Sequence, residues 1–358
     1  MANSPAKPLV VLAAGGTGGH VFPAEALAAE LSSRGYRLAL VTDQRGGDLS
    51  GRLGELETHR VRAGGIAGKG VFARILSVFE LMIGTLQAWF LLRRLKPAVV
   101  VGFGGYASVP TMLAAAYSGT KAAIHEQNAV LGRANRLLAS RVETIATSFD
   151  KVSEIPEDAK PNVIVTGMPV RPAVTIVRDR AYPTLGSDDD VNLAGFGGSQ
   201  GAHIFSVVVP EAMKQLDENL RSRIRITQQS RPEDIDQVKS AYRAIDVDAD
   251  LSTFFNDVPD RIAAAHLVIC RSGASSIAEL TTIGRPAILV PYRHAVDDHQ
   301  SRNGHAVDEV GGGWLIPEDA FTEVVLAERL AALFAIPRML ENAAAAAKSA
   351  GVPDAAGR

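Results

Sequence analysis

Short apolar runs alternate along this chain with longer amphipathic stretches. The runs at Leu9 to Ala14, Ala98 to Val101, Val191 to Phe196 and Leu267 to Cys270 each lead straight into a turn that contains glycine. Brief uninterrupted apolar runs followed by helical periodicity predict buried parallel strands joined by crossover helices. The pattern gives a strand over Leu9 to Ala14, a glycine loop over Gly15 to His20, a helix from Phe22 to Arg34 stopped by Gly35, and a strand over Tyr36 to Thr42. This is the opening of a doubly wound sheet, whose ligands sit at the carboxyl ends of the strands. Lys121 to His125, Arg141 to Thr147 and Asn162 to Thr166 complete the first sheet, and Gly167 to Pro172, with its two prolines, reads as a stiff connector.

A second round begins at Val191 to Phe196, with the loop Gly197 to Ala202 and a helix from about His203 to Leu216. Ile224 to Gln228 and Leu251 to Phe255 are expected as strands, and Asp257 to Ala265 as a helix. Next come the strand Leu267 to Cys270, a helix over Ala274 to Ile283 closed by Gly284 and Pro286, and a strand over Ala287 to Pro291. The tail from Phe321 is alanine-rich and helical in pattern. Two halves that open alike imply an α/β protein of two sheet domains with a ligand cleft.

The loops carry the candidate chemistry. A helix that begins Gly273-Ala274-Ser275-Ser276 has no bulky side chain at its first turn, so a diphosphate could approach its free N–H groups and positive dipole end. Glu279, further along that helix, suits two neighbouring ribose hydroxyls; a solvated glutamate on a helix face is the alternative. The first loop does not spell the dinucleotide G-x-G-x-x-G, although Asp43 at the end of the second strand imitates the acidic residue of such sites. Gly102 to Tyr106 is another glycine turn at a strand end, and His125-Glu126-Gln127-Asn128 is a polar cluster at the next one. A buried, backbone-satisfied histidine is the alternative for His125.

Composition narrows the class. The chain has 358 residues, 47% hydrophobic, which is long enough for two cores. A formal net charge of -2 with interspersed signs carries no basic stripe for nucleic acid. The single cysteine, Cys270, excludes an internal disulfide and a multi-cysteine metal site, and at the end of an apolar run it reads as core packing. The most apolar tract is Lys69 to Lys96, but only Leu81 to Leu92 is uncharged, twelve residues where a spanning helix needs about 20. Phe72, Ile75, Phe79, Met82 and Trp89, rimmed by Lys69, Arg74, Arg93, Arg94 and Lys96, suit a surface that dips into anionic lipid. Two ordinary helices facing the core are the alternative.

The ordered set Gly15 to Pro23 (GGTGGHVFP), Gly104 to Tyr106, His125 to Asn128, Pro169 to Arg171, Gly197 to Ala202 (GGSQGA), Cys270 to Ala274 with Glu279, and Asp298 to Gln300 with Asn303 resembles the MurG family of bacterial transferases. These motifs span nearly the whole chain in the family's order. The resemblance implies a GT-B architecture, two Rossmann-like domains facing a cleft, with an N-terminal acceptor and membrane-facing domain over 1–168 and a UDP-N-acetylglucosamine-binding domain over 169–340. The tail, 341–358, would pack back on the first domain. The chain stops short of the family's usual last helical turns, so that brace is expected to be abbreviated or cut short.

The implied reaction is an inverting transfer of N-acetylglucosamine from its UDP donor to the C4 hydroxyl of lipid I, giving lipid II for peptidoglycan. The resemblance carries donor-site roles to Ala274, Ser275, Ser276, Ile277, Ala278 and Glu279, with Gln300 on the sugar hydroxyls and Ser199 near the diphosphate. Thr17, Gly18, Gly19, Asn128 and Arg171 are further donor positions, and Phe255 falls beside the uracil, where the family often has an aliphatic residue. Met168 stands where an asparagine is common. Tyr106 and His125 are assigned to the acceptor side. The attacking hydroxyl must lose a proton, and His20, whose ordinary pKa lies near neutrality, is the candidate base, with Glu126 its rival and a mere helix-start contact the alternative.

No cofactor or metal is expected, because helix N-termini can stabilise the leaving diphosphate; Asp297-Asp298-His299 reads as a sugar-site loop. Expected partners are UDP-N-acetylglucosamine, lipid I, an anionic membrane surface and other cell-wall synthesis proteins. The expected location is peripheral, on the cytoplasmic face of the inner membrane. A nucleotide-dependent oxidoreductase, a GT-B transferase with another acceptor and a non-catalytic membrane scaffold are the competing readings.

Overall fold

The structure, a computed structural model, describes residues 7–16, 18–44, 51–64, 71–198 and 201–358, without the side chains of 51 and 71–75. Thr17 and Ser199 lie outside the described residues, as do the side chains of Phe72 and Ile75. The chain forms two compact units, Met1–Arg171 with Asp354–Arg358, and Pro172–Pro353.

Unit 1 is built on strands β1 (Leu9–Ala13), β2 (Arg37–Asp43), β3 (Glu57–Val61), β4 (Val99–Gly102), β5 (Ala122–Glu126), β6 (Thr144–Thr147) and β7 (Val163–Val165). They pair in the order β3-β2-β1-β4-β5-β6-β7, every pair parallel. Alternate residues of β1 enter different cores. Leu9, Val11 and Ala13 join one cluster, and Val10, Leu12 and Ala14 the other. Both faces of the sheet are therefore covered, which is why β1 reads as a continuous apolar run rather than an alternation. The last residues, Asp354–Arg358, group with unit 1, where Arg34 donates to the Gly357 carbonyl (3.2 Å).

Unit 2 repeats the plan with β8 (Val191–Phe196), β9 (Ile224–Gln229), β10 (Asp248–Ser252), β11 (Leu267–Cys270), β12 (Ala287–Leu289) and β13 (Gly313–Leu315). Their order is β10-β9-β8-β11-β12-β13, again all parallel. Three readings shift. The strand expected at Leu251 to Phe255 lies at Asp248–Ser252, leaving Phe255 in the loop beyond it. The first helix starts at Gly18, ahead of Phe22, and the alanine-rich tail is two helices, Glu323–Ala335 and Pro337–Ala350. Strands β3 and β13 were not anticipated; both are sheet edges.

The apolar tract is one continuous helix, Val71–Leu95, rather than two. Arg74 and Glu80 do not interrupt it, so Leu76–Leu95 is long and apolar enough to cross a membrane by length and composition alone. Packing argues against a span. Ser77, Ala88 and Leu92 are buried, and Ala88 and Leu92 join the core cluster of unit 1. At Gly84 a side chain would collide with the Arg62 carbonyl, so the helix backbone lies directly on its neighbour. The opposite side exposes Leu76, Phe79, Met82, Leu86 and Phe90, with Phe79 at 57% and Phe90 at 65%. Trp89 is not on that outward face. It is half-buried against the core, edge-on to Phe90 and beneath the Arg93 guanidinium (4.0 Å).

Candidate active site

In each unit the strand order reverses beside the first strand, at β1/β4 and at β8/β11. Crossovers leave in opposite directions at such a point and open a crevice at the carboxyl ends of the two strands. The glycine motifs occupy these two places.

In unit 1, β1 and β4 end side by side, Ala13 opposite Gly102. The first turns of the helices Gly18–Ser33 and Gly105–Ser118 follow, and His20 lies in the first of them. Gly104 and Gly105 have φ of 82° and 70°, a region that costs any residue with a Cβ. A Cβ on Gly105 would stand 3.1 Å from His20 Cδ2, and one on Gly104 would stand 3.5 Å from His20 Cε1. The paired glycines thus make both the turn and the space for the imidazole. Tyr106 follows them, 39% exposed.

The end of β5 supplies the polar groups. His20 Nδ1 lies 3.1 Å from Gln127 Oε1, Gln127 Nε2 lies 3.0 Å from His125 Nδ1, and His125 Nε2 lies 3.1 Å from the Gly167 carbonyl. His125 is buried, and that burial pushes its pKa down despite the opposing effects of the Gly167 bond and the Glu126 charge. It therefore reaches no ligand surface itself, which corrects its placement on the acceptor side.

Glu126 is likewise buried, and both its oxygens are engaged. Oε1 accepts from the Asn128 amide (3.0 Å) and Asn128 Nδ2 (3.2 Å), and Oε2 accepts from the Gly132 amide (2.8 Å) and Asn135 Nδ2 (2.8 Å). A carboxylate spent on four donors clamps its loop and has no lone pair facing a substrate, so Glu126 is not a rival base. Asn135 was missed. It also donates to the His125 carbonyl (3.1 Å), and on a short helix it carries no sequence signal that separates it from a surface asparagine. Arg171 sets its guanidinium 4.8 Å above the Phe22 ring.

In unit 2, Phe196 of β8 pairs with Cys270 of β11. The helix Ala274–Ile283 starts after Gly273, which supplies no side-chain cap, and open space lies where a Cβ on Gly273 would be. Its first-turn N–H groups thus face outward uncapped, as an incoming anion requires. Gly197 packs against the amide of Ala202, leaving no room for a side chain, and Gly198 and Gly201 take φ of 82° and 68°. Glu279 is 8% exposed, so it is not a solvated helix-face residue. Ala274 and Ile277 are buried, while Ser275, Ser276 and Ala278 are half-buried. Cys270 is buried, and burial together with the Glu279 charge pushes its thiol up to about 12, which suits packing and not nucleophilic chemistry.

The helix His299–Glu309 is tied to this turn by Asn303, whose Nδ2 donates to the Ser272 carbonyl (3.2 Å). Gln300 Oε1 accepts from the Tyr292 amide (2.9 Å). Asp297 and Asp298 precede it with φ of 53° and 52°, two consecutive left-handed residues that fix a sharp loop. Among the described residues no group of three or more His, Cys, Asp or Glu side chains is placed to hold a metal ion. Arg271 pairs with Glu318 (2.6 Å), bracing the strand end. Phe255 is buried edge-on to Phe196 under Arg261 (4.0 Å), so its ring is committed to the core, while neighbouring Phe254 is exposed.

Comparison with known proteins agrees along the chain. Residues 10–147 match the glycosyltransferase family 28 N-terminal domain and residues 194–358 the glycosyltransferase family 28 C-terminal domain. A protein of Paramagnetospirillum magneticum named UDP-N-acetylglucosamine--N-acetylmuramyl-(pentapeptide) pyrophosphoryl-undecaprenol N-acetylglucosamine transferase is 57% identical, over 98% of this chain and 94% of its own length. A Rhodospirillum rubrum protein of the same name is 56% identical over 98% of this chain and 89% of its own. The crystal structure of Acinetobacter baumannii MurG superposes with a TM-score of 0.79 at 28% identity, covering 98% of this chain and 97% of that one.

Proposed function

Since the chain belongs to glycosyltransferase family 28, with the two Rossmann-like domains of the GT-B architecture, we propose that it transfers N-acetylglucosamine from UDP-N-acetylglucosamine to lipid I, giving lipid II. The observation that carries this reading is the likeness, over nearly the whole chain, to relatives named for that transfer. The motif loops at both strand-order reversals support it from within the fold.

The donor belongs to unit 2. Its diphosphate lies at the uncapped start of the helix Ala274–Ile283, where fixed N–H groups of Ala274, Ser275 and Ser276 meet the charge that grows on the leaving group. Glu279 takes the ribose hydroxyls. The Gln300 carbonyl holds the Tyr292 amide, which directs the side-chain NH2 toward the sugar. Ser199, Thr17, Gly18, Gly19, Asn128 and Arg171 are proposed as further donor contacts. The Phe255 backbone, rather than its ring, lies beside the uracil.

The acceptor belongs to unit 1. Its C4 oxygen attacks the anomeric carbon, the bond from that carbon to the diphosphate oxygen breaks, UDP leaves with the electron pair, and His20 takes the hydroxyl proton. One displacement inverts the anomeric centre. Tyr106, exposed directly after the Gly104-Gly105 turn, borders the acceptor. The outward face of the Val71–Leu95 helix, with Phe79, Met82 and Phe90 above the exposed Arg93 and Arg94, rests on anionic lipid at the cytoplasmic face of the inner membrane, where other cell-wall synthesis proteins would be its neighbours.

The test is transfer of labelled N-acetylglucosamine to a short-chain lipid I analogue, in EDTA, by the wild type and by Glu279→Ala. Transfer by the wild type with a large loss in the variant supports the reading and its metal independence. UDP binding without transfer points to another acceptor. Absence of both rejects the proposal.

A further inference from the structure

We propose that Gln127 is a positioning residue that fixes which nitrogen of His20 carries the hydrogen, in an order that begins at the Gly167 carbonyl. A carbonyl oxygen only accepts, so His125 Nε2, 3.1 Å from it, bears the hydrogen. Burial keeps His125 neutral, which leaves its Nδ1 as a bare lone pair. The Gln127 amide then has one acceptable orientation. Its NH2 end faces two acceptors, His125 Nδ1 at 3.0 Å and the His125 carbonyl at 2.9 Å, and reversing it would set oxygen against both. Gln127 Oε1 is thereby turned to His20 Nδ1 at 3.1 Å, and because this oxygen only accepts, His20 donates through Nδ1.

The lone pair of neutral His20 is therefore on Nε2, where a proton can be received. A second observation agrees. The ring edge bearing Nε2 faces Gly105, where a Cβ would stand 3.4 Å from that nitrogen and 3.1 Å from Cδ2, so the absence of a side chain keeps that edge uncovered. Gln127 and His125 are nearly inaccessible, and His20 is half-buried, so the ordering runs from the core to the site. The histidine side chain free in water favours the opposite tautomer, with hydrogen on Nε2; the protein reverses that preference with an amide oxygen at Nδ1.

The catalytic consequence rests on His20 being the base; the tautomer does not. The experiment is long-range proton–nitrogen NMR of the full chain with 15N-labelled histidine, on the wild type, Gln127→Met and Gln127→Glu, with transfer kinetics on the same samples. Wild-type His20 is expected as the Nδ1–H form. In Gln127→Met it reverts toward Nε2–H, kcat falls roughly tenfold and KM for UDP-N-acetylglucosamine holds. Gln127→Glu keeps an acceptor toward His20, so His20 Nδ1 still bears hydrogen in that variant, although the lost NH2 leaves His125 Nδ1 and the His125 carbonyl without their donor. Wild-type His20 in the Nε2–H form overturns the proposal even if neither variant folds, as does a Gln127→Met enzyme that loses kcat with the signal unmoved. If His20→Ala retains full transfer, the base assignment fails while the tautomer result stands by itself.

Discussion

In unit 1 the polar atoms at the strand-order reversal belong to side chains that hold one another, His20 to Gln127, Gln127 to His125, and Glu126 to Asn128 and Asn135. In unit 2 they are main-chain N–H groups at a helix start that no side chain caps. The same fold is thus furnished in two ways, and the chemistry explains the difference. A diphosphate needs several donors at fixed positions, and a helix end supplies them without side-chain entropy. On the proposed transfer, proton removal needs one group in one protonation state, which backbone cannot provide, and the imidazole proposed for it in unit 1 rests on a buried polar network.

The comparison can be broken most sharply at His20. His20→Ala should lower kcat on the order of a hundredfold or more, the usual share of a general base, with little change in stability; steady-state transfer kinetics check it. Glu126→Ala should instead act on the fold. Removing the acceptor of four donors is expected to destabilise unit 1 by about 3 kcal/mol, read by urea unfolding followed with a probe in that unit. Gly105→Ala is intermediate. The positive φ costs about 1 kcal/mol, and the added methyl presses on the imidazole, so kcat should fall several-fold with UDP affinity intact, as titration would show.

The smallest effect is that of pH on the His125 network. Burial holds the folded pKa of His125 below its unfolded value. Between the two values the unfolded chain binds the extra proton, so stability falls as pH drops below the ordinary histidine range and is unaffected above it. Hydrogen exchange at β5 should accelerate on mild acidification in the wild type, and His125→Gln should remove that dependence.

Legibility in the sequence followed burial. Strands β8 and β11 were readable to the residue because central strands covered on both faces are continuous apolar runs, and Gly273, Gly284 and Pro286 punctuate the helix between β11 and β12. The edge strands β3 and β10 were not: β3 is Glu-Thr-His-Arg-Val and β10 carries Asp248 and Asp250, polar because an open edge faces water, whereas the edge strand β7, Val-Ile-Val, was readable. The Val71–Leu95 helix was misjudged because Arg74 and Glu80 interrupt an apolar run without interrupting a helix. At the site, residue types and spacing pointed to His20 and Glu279 and offered a buried, backbone-satisfied His125 as an alternative, but not the clamp made by Glu126. Those roles depend on partners such as Gly132 and Gly167, which only the folded chain brings near.

The central claim, proton removal in unit 1 and nucleotide binding in unit 2, is tested most directly by UDP titration and transfer kinetics on His20→Ala and Glu279→Ala together. The account predicts that His20→Ala binds UDP like the wild type and fails to turn over, while Glu279→Ala loses UDP affinity by about 2 kcal/mol, close to thirtyfold. Equal loss of UDP affinity in both variants would contradict it, making His20 a nucleotide contact and leaving the acceptor without its base.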